Sequence, residues 1–261
     1  MPQLNITLIQ PDIVWEDKEA NLQQYTQLIA GIKEKKQVVV LPEMFTTGFS
    51  MAPERLAEKM DGPSVNWMKD IARQHKCILT GSLIIEEEGK YYNRLIWMQP
   101  DGKYGHYDKR HLFGYANEDQ HYHNGNRKLI TSVNGFRICL LVCYDLRFPV
   151  WSRNMGDDYD VLVYIANWPE RRSLAWKTLL QARAIENMSY VIGVNRVGKD
   201  GKDIIYSGDS SIISPLGEII WQHSNTPAVH TISIDKDLVT STRAQFPFLQ
   251  DADKFMILND E

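Results

Sequence analysis

Three side chains suited to acyl-transfer chemistry recur at the same kind of place in this sequence. Cys143 follows the apolar run Ile138-Cys139-Leu140-Leu141-Val142, Glu43 follows Val38-Val39-Val40-Leu41-Pro42, and Lys109 follows Tyr104-Gly105-His106-Tyr107-Asp108. A cysteine attacks a carbonyl as its thiolate, so it needs a base or a cation beside it. A carboxylate can take the thiol proton and later deliver it to a leaving amine. An ammonium can stabilise the oxyanion that develops on the carbonyl. Together the three types would make a Cys-Glu-Lys set for acyl transfer, distinct from a Cys-His pair. Each also has a plainer reading. Cys143 would serve as core packing, Glu43 as a turn residue and Lys109 as a surface cation.

The elements that must position them are legible from periodicity. A run that is apolar at every position reads as a strand buried on both faces. Chemistry in open α/β sheets gathers at the C-terminal ends of such strands. Strands are expected over residues 4–10, 38–41, 77–85, 91–99, 103–109, 138–142, 160–166, 190–197, 209–214 and 230–234. Helices are expected over residues 17–35, 64–75, 149–155 and 171–188, with Ser64 as a cap and Pro149 as a first helical residue. Neighbouring strand ends in one sheet would bring Glu43, Lys109 and Cys143 together. Alternating βα units with several hairpins argue for a mixed sheet. The second half loosely repeats the first, and no linker interrupts the chain, so one domain over residues 1–261 is expected.

Composition narrows the class. The 261 residues carry a formal net charge of −4, with 43% hydrophobic and 24% charged residues, as in an ordinary globular protein. Mild acidity without a basic block speaks against nucleic-acid binding. No window holds the roughly 18 apolar residues of a membrane span. Three cysteines without a secretion signal point to a reducing cytoplasm. Cys139 and Cys143 are four residues apart on one strand, about 13 Å, too far for a disulfide. His106, His111, His121 and His123 fall in one stretch, but no paired cysteine accompanies them and the spacing fits no zinc pattern.

Three runs, Leu41-Pro42-Glu43-Met44-Phe45, Tyr107-Asp108-Lys109-Arg110-His111-Leu112-Phe113 and Leu141-Val142-Cys143-Tyr144-Asp145-Leu146-Arg147-Phe148-Pro149, together resemble the nitrilase (carbon–nitrogen hydrolase) superfamily. The resemblance implies an α/β fold, a four-layer α-β-β-α sandwich with pseudo-twofold halves, which usually pairs into homodimers through one helical layer. It implies the triad Glu43, Lys109 and Cys143, with Glu118 as a second glutamate and the Tyr144 backbone N–H beside the oxyanion. It implies no cofactor and no metal. The runs from Glu43 to Met51, from His111 to Phe113 and from Ala166 to Arg172 are similar to the ω-amidases of that superfamily. Such enzymes cleave the terminal amide of dicarboxylic monoamides such as 2-oxoglutaramate, 2-oxosuccinamate and succinamate.

A substrate with a distal carboxylate needs a cation in the pocket, and a guanidinium grips a carboxylate with two hydrogen bonds. Arg172, then Arg171, are the candidates, with Phe45 and Trp168 as apolar walls and Asp145 and Arg147 as braces of the turn after Cys143. Alternatives are an amidase acting on deaminated glutathione or an N-carbamoyl amino acid, an acyl transferase, or a non-catalytic dimeric scaffold.

Overall fold

The structure is a computed structural model and describes residues 2–258. Its strands in chain order are β1 (Gln3–Gln10), β2 (Val38–Val40), β3 (Ile78–Glu87), β4 (Lys90–Met98), β5 (Tyr104–Asp108), β6 (Leu129–Val133), β7 (Phe136–Val142), β8 (Val161–Ile165), β9 (Tyr190–Val194), β10 (Val197–Lys199), β11 (Ile205–Ile213), β12 (Ile219–Ser224) and β13 (Ala228–Asp235). The helices are α1 (Lys18–Ala30), α2 (Pro53–Leu56), α3 (Pro63–His75), α4 (Glu118–His121), α5 (Pro149–Ser152), α6 (Ser173–Asn187) and α7 (Lys236–Gln245).

The strands form two sheets. One has the order β13-β1-β2-β3-β4-β5; the other runs β10-β11-β9-β8-β7-β6, with β12 also paired to β11. Each sheet has a parallel centre of three strands, β1-β2-β3 in one and β7-β8-β9 in the other. Antiparallel strands flank both centres. The pseudo-twofold relation expected from the sequence is this repetition.

Side-chain alternation makes the layers. Leu4, Ile6 and Leu8 of β1, Val38 and Val40 of β2, and Leu95 and Trp97 of β4 pack against β7 and β8 of the opposite sheet. Ile9, Val39, Leu79 and Ile96 point the other way, onto Tyr25 and Ile29 of α1 and Val65, Met68 and Ile71 of α3. On the far side, Trp176, Leu180 and Ala184 of α6 cover the second sheet. The result is the α-β-β-α sandwich.

Two local signals bound the helices of the first outer layer. The Asp17 carboxylate accepts the Ala20 N–H at 3.0 Å and caps α1, and Gly31 ends it well before residue 35. Pro63 opens α3 after Gly62; Ser64 lies inside the helix and bonds Glu58.

Candidate active site

The three chemically capable residues meet, though not at neighbouring strand ends of one sheet. Glu43 and Lys109 follow β2 and β5 of the first sheet, and Cys143 follows β7 of the second. The site lies where the C-terminal ends of the two stacked sheets face each other.

Each residue is held by its own local structure. After β2, Met44 turns the backbone at φ +42° and donates its N–H to Ser82 Oγ at 2.8 Å, fixing Glu43 over β3. The Lys109 N–H donates to the Asn93 carbonyl at 3.0 Å, extending the β5–β4 pairing by one residue. Glu118 opens α4 directly after Asn117, at φ +60°, and accepts the Phe113 N–H at 2.6 Å. Cys143 has φ +45°, an uncommon conformation for a residue with a Cβ, costing on the order of 1–3 kcal/mol. That turn lifts the thiol off the strand axis and starts the short 3₁₀ turn Cys143–Arg147.

The Lys109 ammonium donates to Glu43 Oε1 at 2.9 Å and to Glu118 Oε2 at 2.9 Å and Oε1 at 3.1 Å. All three side chains are fully buried. Asn93 Nδ2 donates to Glu43 Oε1 at 2.7 Å and to Glu118 Oε1 at 3.2 Å. Glu43 Oε2 accepts the Asn167 N–H at 2.8 Å. The cluster thereby meets the requirement that buried charge be paired and hydrogen-bonded. The Cys143 thiol faces Glu43 and lies 4.0 Å from the Asn167 carbonyl oxygen.

The electrostatics follow from this packing. Burial disfavours a charged Lys109, but the Glu118 and Glu43 carboxylates overcome it and hold the ammonium above the ordinary lysine value. Burial, and secondarily the Glu43 charge, push the Cys143 thiol well above its usual value although Lys109 opposes them. Burial also raises Glu118; Lys109 pulls against this and Glu43 adds to it. A resting thiolate is disfavoured, so the sulfur would have to pass its proton to a base as it attacks.

Above this cluster opens a cavity of about 290 Å³. Lys109, Cys143 and Tyr144 line it, and Phe49, Phe113, Trp168 and Tyr206 are among its apolar walls. Arg147, Arg171, Arg172 and Lys202 also line it. None of these four cations makes an ion pair among the described residues. The Arg147 guanidinium lies 4.9 Å over Trp168 and that of Arg172 lies 5.0 Å over Phe113. Burial first, then repulsion from Arg171, lowers the Arg172 pKa from its ordinary value.

Two sequence expectations need correction. Phe45 is no cavity wall: it is fully buried under α1 and α3, with its ring 5.4 Å from Tyr25 and 5.8 Å from Trp67. A Cβ at Gly81 would stand 2.8 Å from the Phe45 ring, so the missing side chain on β3 makes the room for it. Phe49, four residues on, lines the cavity instead. Arg147 reaches the cavity, whereas Asp145 alone braces the turn. Asn93 and Asn167 were missed. Asn93 did leave a faint signal, an amide placed with Arg94 just ahead of the apolar run Leu95 to Met98.

Residues 5–244 match the carbon–nitrogen hydrolase family. The chain belongs to that family. This carbon–nitrogen hydrolase is 47% identical to the ω-amidase YafV of Escherichia coli (strain K12), over 98% of this chain and the whole of that protein. It is 30% identical to the 2-oxoglutaramate amidase of Bacillus subtilis (strain 168), over 95% of this chain and 97% of that one. Among solved structures it is similar to XC1258 from Xanthomonas campestris, a CN-hydrolase superfamily protein with an arsenic adduct in its active site. The TM-score is 0.96 and the identity 42%, over 98% of this chain and 100% of the other.

Proposed function

We propose that this carbon–nitrogen hydrolase is an ω-amidase, cleaving the terminal amide of dicarboxylic monoamides such as 2-oxoglutaramate, 2-oxosuccinamate and succinamate to the diacid and ammonia. The observation that carries this reading is one cavity lined both by Cys143 and Lys109 and by three arginines without carboxylate partners among the described residues. The identities to the E. coli and B. subtilis amidases support the same substrate class.

In the proposed reaction Glu43 takes the Cys143 proton as the sulfur forms a bond to the amide carbon. The oxyanion sits between the Lys109 ammonium and the Tyr144 N–H, which opens the 3₁₀ turn after Cys143. Glu43 returns the proton to the amide nitrogen, the C–N bond breaks and ammonia leaves a thioester. A water then gives a proton to Glu43 and its oxygen attacks the thioester carbon; the C–S bond breaks and the thiol regains a proton. Glu118 keeps Lys109 oriented and charged. Arg172 receives the distal carboxylate, with Arg171 and Arg147 as further donors.

We infer, too, a homodimer formed through the α6 layer, where Leu174 and Ile185 are 78% and 54% exposed. Sedimentation should give a two-chain particle; a monomer at micromolar concentration would exclude it. The three free cysteines suit a reducing compartment, which we take to be the cytoplasm.

The function is tested by ammonia release over 2-oxoglutaramate, succinamate, glutamine, deaminated glutathione and a simple nitrile. The reading requires 2-oxoglutaramate or succinamate to be turned over most efficiently. Preference for deaminated glutathione or for the nitrile would overturn it.

A further inference from the structure

Asp145 is fully buried two residues after Cys143 and takes no part in the reaction described above. Its two oxygens accept four hydrogen bonds. Oδ2 accepts the Val142 N–H at 3.0 Å and the Tyr107 hydroxyl at 2.7 Å. Oδ1 accepts the His111 N–H at 3.0 Å and lies 2.8 Å from His111 Nδ1. Val142 precedes the cysteine, and Tyr107 and His111 stand two residues before and two after Lys109. One carboxylate therefore ties the backbone that presents the thiol to both flanks of the segment that presents the ammonium, although these segments belong to different sheets. The Tyr107 hydroxyl extends the tie by accepting the Arg110 N–H at 3.1 Å and Trp151 Nε1–H at 3.0 Å.

We propose that Asp145 is a positioning residue that sets the separation and alignment of Cys143 and Lys109. It touches no substrate; it acts through the two chain segments it joins. The inference rests on the reading of Cys143 and Lys109 as nucleophile and oxyanion cation.

The chemistry of the side chain makes this testable. An amide keeps one acceptor oxygen, but its NH₂ must then face donors that had been accepted: Tyr107 and Val142 on one side, or His111 on the other. Asp145→Asn therefore preserves volume and breaks the tie. His111→Phe keeps a ring against Phe148, where the stacked centroids are 3.8 Å apart, and removes only the Nδ1 contact. His111 is partly exposed, so this second variant should fold even where the first does not.

The experiment measures kcat and KM, thermal stability, and the pH profile of Cys143 alkylation by iodoacetamide. The charged groups around the thiol are Glu43 after β2, Lys109 after β5, Glu118 on α4 and Arg172 after β8. If Asp145 sets the spacing, Asp145→Asn loses about 100-fold in kcat with little change in KM. Its alkylation profile moves to higher pH, because the thiolate loses its nearest cation, and labelling at fixed pH slows about tenfold. His111→Phe should change kcat and the profile in the same direction by less. Lower thermal stability with kcat and the alkylation profile at wild-type values, in His111→Phe or in a folded Asp145→Asn, would overturn the proposal. Alkylation needs no substrate, so failure of the ω-amidase reading in the ammonia panel remains distinguishable from failure of this one.

Discussion

Glu43 and Asn167 hold each other twice across the two sheets. The Asn167 N–H donates to Glu43 Oε2 at 2.8 Å, and Asn167 Nδ2 donates to the Glu43 carbonyl at 2.6 Å. Glu43 lies beyond β2 in one sheet and Asn167 beyond β8 in the other. The proposed base is thus tied by two hydrogen bonds to the sheet that carries the thiol.

Asn167→Ala should lower kcat about tenfold and stability by about 1–3 kcal/mol, because the Glu43 carbonyl is left buried without a donor while the backbone N–H contact survives. Urea denaturation and ammonia-release kinetics check the two halves. A stability loss with unchanged kcat would mean that the lock does not serve catalysis.

Lys109→Ala leaves two buried carboxylates without their cation. Turnover should fall by two to three orders of magnitude, roughly the effect of losing one oxyanion donor, and stability should drop by about 3–5 kcal/mol. Near wild-type ammonia release would remove Lys109 from the reaction.

Glu118 should appear in the pH profile. Burial and the Glu43 charge raise its pKa, so its proton stays on at pH values where an ordinary glutamate has lost it. Protonation weakens its hold on Lys109, so activity is lost as pH falls through that raised value. The acid limb of kcat/KM should therefore lie above the usual glutamate range near about 4.3. Glu118→Gln should lower kcat and displace that limb. A limb that stays in place in this variant would assign it to another group.

The arginines should act on binding. Arg172→Ala should raise KM for 2-oxoglutaramate roughly 10- to 100-fold with a smaller change in kcat, the worth of a charge-assisted hydrogen bond to a carboxylate. Arg147→Ala should act in the same sense. An unchanged KM when both Arg171 and Arg172 are replaced by alanine would place the carboxylate elsewhere.

Much of this was legible in the sequence because buried strands announce themselves. Val38-Val39-Val40 and Ile138 to Val142 are apolar throughout, and the polar residue after each is where the chemistry sits. What escaped has equally physical causes. β6, Leu129–Val133, is a short edge strand whose inward side chains Leu129, Thr131 and Val133 are only half-buried while the apolar Ile130 faces outward, so its alternation is blurred. Among the residues of α7, Val239 is the one buried apolar side chain, so its helical period is faint, although the Asp235 cap was there to be read. That Glu43 and Lys109 lie in a different sheet from Cys143 could not follow from local pattern, since it depends on how two halves stack. Phe45, expected as an apolar wall of the cavity, instead fills the space over Gly81 against Tyr25 and Trp67, a placement set by a missing side chain on β3 that no local pattern around Phe45 reveals.

The most direct measurement is ammonia release from 2-oxoglutaramate by the wild type and by Cys143→Ala side by side. The wild type should turn this substrate over well ahead of glutamine, and the variant should fall at least about 10⁴-fold while keeping a native fold, as for removal of a nucleophile. Substantial ammonia release by folded Cys143→Ala would contradict a thioester at Cys143.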